Sequence, residues 1–414
     1  MSASAALTAL ATSRDLQLPD IHFPVIGNRW AVGTVFLLHI VFGSFTMGTL
    51  VLAPTYELIG RRRADLRFER YAKALGDVNV KIFSIGATFA GFAVMFLTFF
   101  YPRFFISLLE IFFWPALGAF LIWFPAIAAL YTYAHSWERL GHGAHIALGY
   151  FAAAMDHVFL VLIVALDSFL LTPSAPGGLG AFFNASYFEE LGHRFNGNIS
   201  WASFFIAAVA AVYAGLRRAP EERAYFQWAA RVSLLVGFLT LLLQVPLGAL
   251  YVESVRHGSP GAFAYSFTGP FAWLWLVQVS LLVMLLVGSN LYFWFSRRRA
   301  ASPVLTLLAV IAAAGALLPA GLYPRGLFWL RYVALSVVLA VSLTHWLVWR
   351  DGRHSPELRA GARAVLALTG VTAVALFLLM GVIRTTARGE YTVYGQLKEG
   401  SSYGIYDPGP GHYP

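Results

Sequence analysis

The sequence predicts an all-α, polytopic transmembrane helical bundle of about ten spans. Three observations carry this reading: 59% of the 414 residues are hydrophobic, only 12% are charged, and long apolar runs recur along the whole chain. A mean hydropathy of +0.68 leaves too little polar surface to cover a soluble globule. The net charge of +9 sits in short connections between apolar runs, where membrane topology explains it, so no nucleic-acid binding is expected. With no cysteine, the chain has no disulfide, thiolate metal site, iron–sulfur cluster or thioether-attached haem, and any metal centre must use His, Met or carboxylate.

The expected spans are 30–58, 78–101, 104–134, 144–172, 199–217, 226–251, 271–296, 303–323, 327–349 and 361–383, each near the length of about 20 residues that crosses a bilayer. Pro54, Pro115, Pro125, Pro246 and Pro319 fall inside these runs, as buried helices tolerate when neighbours satisfy the freed carbonyl. Residues 1–28 lack the basic start and short apolar core of a signal peptide and are expected to form an extramembrane arm. Residues 29–384 are the bundle. Residues 385–414, ending SSYGIYDPGPGHYP, are too polar and Gly/Pro-rich for a domain and are expected along the surface or on another subunit.

Connections after spans one, three, five, seven and nine carry most of the arginines, among them Arg61, Arg62, Arg63, Arg139, Arg217, Arg218, Arg297, Arg298, Arg299 and Arg350. Positive charge resists translocation, so these connections are expected in the cytoplasm and both termini on the outer, periplasmic side. Two sizeable outer loops, 173–198 and 252–270, are expected to dock a partner or shape a quinone entrance.

Within RWAVGTVFLLHIVFGSFTMG, residues 29–48, the only ionisable group past the opening arginine is His39. An imidazole titrates near neutrality and coordinates metals, so placing one in hydrocarbon marks a candidate site. Arg29 stands ten residues before it.

This pattern resembles the first helix of cytochrome bd quinol oxidase subunit I, a family in which the matching histidine is a haem ligand. WERLG at 137–141, Thr172–Pro173, HRFNGN at 193–198 and FWFSRRR at 293–299 keep the same register over about the first 300 residues. The departures are equally informative. The family's fifth-helix histidine falls on Gly197 or Asn198, and its seventh-helix methionine on Gln278, so that haem site is expected to be lost. Span 104–134 keeps only Glu110 of the family's proton-delivering glutamates, the quinol loop shrinks to 252–270, and only Tyr323-Pro324-Arg325-Gly326 stands near the late-helix motif. An ordinary oxygen-reducing oxidase is therefore not expected. The segment MGVIRTTARGEYTVYG, 380–395, looks more like bd-like membrane subunits that occur with c-type cytochromes.

The resemblance implies that His39 is an axial ligand of haem b, with Gly43, Ser44 and Gly48 leaving room; the alternative is an interhelical hydrogen bond. His157 is either a second ligand or part of a packing pair with Asp156, while Asp156 and Asp167 are candidates for a proton path. By helix rise His157 is expected about 22 Å from the outer end of its span, against about 14 Å for His39, which argues against one shared haem. Gln244 and Gln278 either bond a quinone carbonyl or haem propionate or join helices. Arg29 is the best propionate partner; for His193, Arg194, His257, Arg325, Arg384 and Arg388 ordinary helix-end charge is favoured. His345 is expected as an interfacial anchor, and His135, His142 and His145 as solvated.

The reading that results is a respiratory electron-transfer subunit in the bacterial inner membrane. It bears one or two b haems and exchanges electrons between the quinone pool and an outer-face cytochrome c or other redox partner. The alternative is a haem-free anchoring subunit on the same scaffold; a transporter is a third reading, which no inverted repeat supports.

Overall fold

A computed structural model describes residues 21–174, 178–296, 300–318, 330–350, 358–389 and 391–398. The first helix, α1, runs Gly27–Arg63, turns through Asp65 and returns as α2, Leu66–Phe100. Ala64 adopts a left-handed conformation that ends α1, and the Asp65 side chain accepts a hydrogen bond from the amide of Arg67, capping α2. That amide and the Arg67 guanidinium hold the Asp65 carboxyl below the ordinary aspartate range.

The run expected as one span at 104–134 is broken into α3, Pro102–Ile111, and α4, Phe113–His135. Pro115 has no amide to give the carbonyl of Ile111, so the ladder opens at Phe112. Glu110 consequently sits exposed on the short helix, outside the spanning one. After α4 come α5, His142–Leu171, the short α6, Gly178–Phe182, α7, Tyr187–Leu216, and α8, Pro220–Gly258. Then follow α9, Pro260–Phe263, a π-helical turn over Ala264–Thr268, α10, Ala272–Ser296, α11, Ala301–Leu317, α12, Leu330–Arg350, and α13, Ala360–Ala387.

Each of the ten apolar runs is mainly helical over its described residues, and nine of the described helices are long and apolar enough to cross a membrane. The exception, α11, is described over 17 residues; Pro319 and the Tyr323–Gly326 segment lie outside the described residues, as do residues 1–20 and the tail beyond 398. The two expected outer loops are largely helical. α7 starts twelve residues before the apolar run because its polar first turns find partners inside the protein, and α8 extends to Gly258.

Helices α1, α2, α4 and α5 pack as one four-helix group, and α7, α8, α10 and α13 as a second, while α11 and α12 form a hairpin against α10. The groups meet where α7 packs on α1 and α5. The closest approach is at Gly48 on α1: a Cβ there would stand 2.3 Å from the carbonyl oxygen of Asn198 on α7. Only glycine lets the two backbones come this near. Beyond α13, the strands β1, Tyr391–Val393, and β2, Leu397–Lys398, pair antiparallel. The hairpin tucks Val393 and Leu397 against Phe104, Leu108 and Phe169, and the Tyr394 amide donates to the carbonyl of Leu170 at 3.0 Å.

Replacing Gly48 with Ala forces α1 away from α7. We expect a loss of about 1 to 3 kcal/mol, seen as a lower thermal midpoint in detergent, whereas Ala at exposed Gly33 changes nothing measurable.

Candidate functional site

The site is built from imidazoles held in the interior of a helical membrane protein. His39, on α1, directs Nδ1 at the carbonyl oxygen of Gly86 on α2, 3.0 Å away. A carbonyl only accepts, so Nδ1 carries the proton and the Nε2 lone pair is left without a hydrogen bond among the described residues. Gly43, one turn on, faces the ring: a Cβ there would lie 3.9 Å from His39 Cε1.

His157, on α5, has the same arrangement. Its Nδ1 donates to the carbonyl of Ala153 at 2.7 Å, and Nε2 is buried with no partner. The ring lies against Phe195 of α7, with centroids 4.1 Å apart. Adjacent Asp156 also leaves Oδ2 buried without a partner and makes no bond to His157 among the described residues.

The two imidazoles are not brought together. His39 addresses α2 and His157 addresses α7. Leu37 on α1 packs beside Gly381 on α13, and Arg384 one turn further bonds Asp167 on α5. Carrying the helix rise along these links puts His157 about 8 Å deeper than His39, in the sense the sequence spacing predicts.

Nearer the Arg29 end, Asp167 lies in a four-charge cluster. Its carboxylate accepts from both Arg194 and Arg384, and Arg384 also donates to its backbone carbonyl. Arg194 Nε stands 2.9 Å from Glu190 Oε1 as an ion pair, Arg384 approaches Glu190 at 3.5 Å, and the Tyr251 hydroxyl donates to Glu190 Oε2 at 3.0 Å. Two guanidiniums balance two carboxylates, with Glu190 only 1% exposed. The cluster ties α5, α7, α8 and α13 together. Arg194 and Arg384 are therefore core counter-charges and not the ordinary helix-end charges expected. Arg29 itself is exposed and donates to the carbonyl of Gly389. His257 pairs with Glu253, and Arg388 donates to the carbonyl of Thr392; Arg325 lies outside the described residues.

Gln244 on α8 is an interhelical link. It accepts from Asn196 at 2.6 Å and donates to the carbonyl of His193 at 3.0 Å, and its amide nitrogen fills the space in front of Gly197, 2.8 Å from where a Cβ would sit. The α7–α8 seam is closed by these side chains beside Gly197. Gln278, half-buried on α10, makes no hydrogen bond among the described residues.

Two expectations are corrected. His145 is not solvated: it is 2% exposed, with Nδ1 2.9 Å from Glu57 and Nε2 2.9 Å from the carbonyl of Tyr133, whose hydroxyl donates to Glu57. Helix α5 turns this residue inward onto α1 and α4, whereas His135 and His142 are exposed. His345 is not an interfacial anchor. It is fully buried, its Nδ1 donates to Asn290 Oδ1 at 2.9 Å, and Nε2 has no partner. Glu57 and Glu190 escaped the sequence reading. Glu57 had a signal, since 18 residues after His39 is five helical turns on the same face of α1.

The fold defines a multi-pass helical membrane protein. The family model of cytochrome bd terminal oxidase subunit I matches residues 28–266. The chain belongs to that family and is a membrane respiratory electron-transfer subunit. Among solved structures, it is similar to a chain of the bd oxidase from Geobacillus thermodenitrificans, with a TM-score of 0.55 and 13% identity over 87% of this chain and 97% of that one. At that identity the likeness shows the fold. No curated protein sequence matches.

Replacing Arg384 with Gln leaves Asp167 and Glu190 sharing one guanidinium. Removal of one partner from a buried cluster costs about 3 kcal/mol or more; the variant should melt measurably lower in detergent and expose the hairpin at 391–398 to protease.

Proposed function

We propose that this subunit carries haem b on His39 and exchanges electrons between the quinone pool and a redox partner at the outer face, a c-type cytochrome or another subunit of the complex. The observation that supports it is the state of the imidazole. A backbone carbonyl fixes Nδ1–H, which orients the ring, raises its basicity and leaves Nε2 as a neutral donor in an apolar interior. His157 offers a second nitrogen of the same kind in a separate place. When bound, the haem supplies a one-electron store at a potential set by its axial ligand and surroundings.

The remaining residues act on charge and protons. Asp156, buried and unpartnered at Oδ2, can accept a proton inside the bundle, and it is the better of the two proton-path candidates because Asp167 is engaged by two arginines. Arg29, exposed at the top of α1 above His39, is placed to meet a carboxylate from a cofactor or partner. Quinone contact at Gln278 remains open to a carbonyl oxygen, whereas Gln244 is engaged by Asn196 and His193. The closed α7–α8 seam at Gly197 favours fewer haems than the family's usual complement. In this reading the arginine-rich connections face the cytoplasm of a bacterial inner membrane and Arg29 faces outward.

The test is a reduced-minus-oxidised spectrum with a pyridine haemochrome on the purified chain, wild type beside His39→Ala and His157→Ala. The expected outcome is a b-type signal that His39→Ala abolishes. Absence of haem from wild-type protein isolated with its partners would instead establish the haem-free anchoring subunit.

A further inference from the structure

On the arginine-rich face the chain neutralises its own charge unevenly. Around the α1–α2 turn, Arg61 pairs with Glu69 at 2.8 Å, Arg67 with Asp65 at 2.7 Å and Arg70 with Glu222 at 2.9 Å. Around the end of α7 the arginines have no such partners among the described residues. Arg217 and Arg218 follow the end of α7, and Arg223, from the first turn of α8, donates through Nε to the carbonyl of Arg217 at 3.4 Å. Arg363, from the first turn of α13, lies across Gly215 of α7, its Nε 3.8 Å from where a Cβ would stand. Among the described residues none of these four guanidiniums is within ion-pair distance of a carboxylate. The nearby Glu222 is engaged by Arg70, and Glu221 is exposed and unpaired.

A guanidinium cannot shed its proton, so four of them gathered around the end of one helix make a fixed positive patch that attracts an anion from outside the chain. The patch also says what kind. Arg217 is held over the rings of Tyr213 and Phe226, at 5.2 and 5.5 Å, at the edge of the apolar band. Below the arginines, one face of α7 carries Leu216, Val212 and Val209, which are 72%, 48% and 37% exposed. Fixed positive charge above an exposed apolar strip fits a phosphate that carries acyl chains.

We propose that Arg217, Arg218, Arg223 and Arg363 bind the phosphate headgroup of an anionic phospholipid, whose acyl chains lie along α7. Native mass spectrometry of the detergent-solubilised protein, titrated with phosphatidylglycerol, with phosphatidylcholine of the same chains, and with inorganic phosphate, tests this. Wild type should bind phosphatidylglycerol at least about tenfold more tightly than phosphatidylcholine, and free phosphate should not displace it. The triple variant R217Q/R218Q/R363Q should lose the preference, while R62Q/R63Q/R139Q, which removes three exposed arginines elsewhere on the same face, should keep it. Equal affinity for the two lipids in wild type overturns the proposal without recourse to any variant. So does equal loss in both triple variants, which would reduce the effect to general surface charge, or displacement by free phosphate, which would make the occupant a soluble anion.

Discussion

In hydrocarbon a polar atom has no water to fall back on, and the architecture of this protein follows from where its few buried charges find partners. The cluster of Asp167, Glu190, Arg194 and Arg384 shows the constraint most directly. Each charge alone would be prohibitive; together they are neutral and extensively hydrogen-bonded, and they fix α5, α7, α8 and α13 at one end of the bundle. Arg384 comes from the last span and Asp167 from the fourth, so the cluster forms only when the whole chain has folded. It also positions the strands at 391–398 over the end of α5.

The same constraint separates the imidazoles by role. His145 meets an acceptor at each nitrogen and is consumed by the contacts of α1, α4 and α5. His39 and His157 spend one nitrogen on a backbone carbonyl and keep the other free. That difference, and not burial alone, distinguishes a packing histidine from one equipped to hold iron. His345 also keeps a free buried nitrogen, beside Asn290 on α10.

The match to the bd subunit I family covers residues 28–266, from α1 into the π-helical turn that follows α9, and the likeness in fold extends over most of the chain. What differs is local. On the fifth span the amide of Gln244 lies against Gly197, and Asn196 of HRFNGN serves the seam of α7 with α8. The scaffold is kept while one of its interior positions is filled by side chains.

The sequence by itself determined the class: apolar runs of spanning length, their number and order, the alternation of arginine between connections, and His39 as an ionisable group in an apolar run. These properties are local and additive, so they survive being read one residue at a time. The tertiary structure decided which polar residues are partners. Asp167 and Arg384 are 217 residues apart, Glu57 and His145 are 88 apart, and Gln244 meets His193 across two helices. A helix shows its periodicity in sequence but not which neighbour each face will meet. The long polar start of α7 and the burial of His345 were therefore settled only by packing.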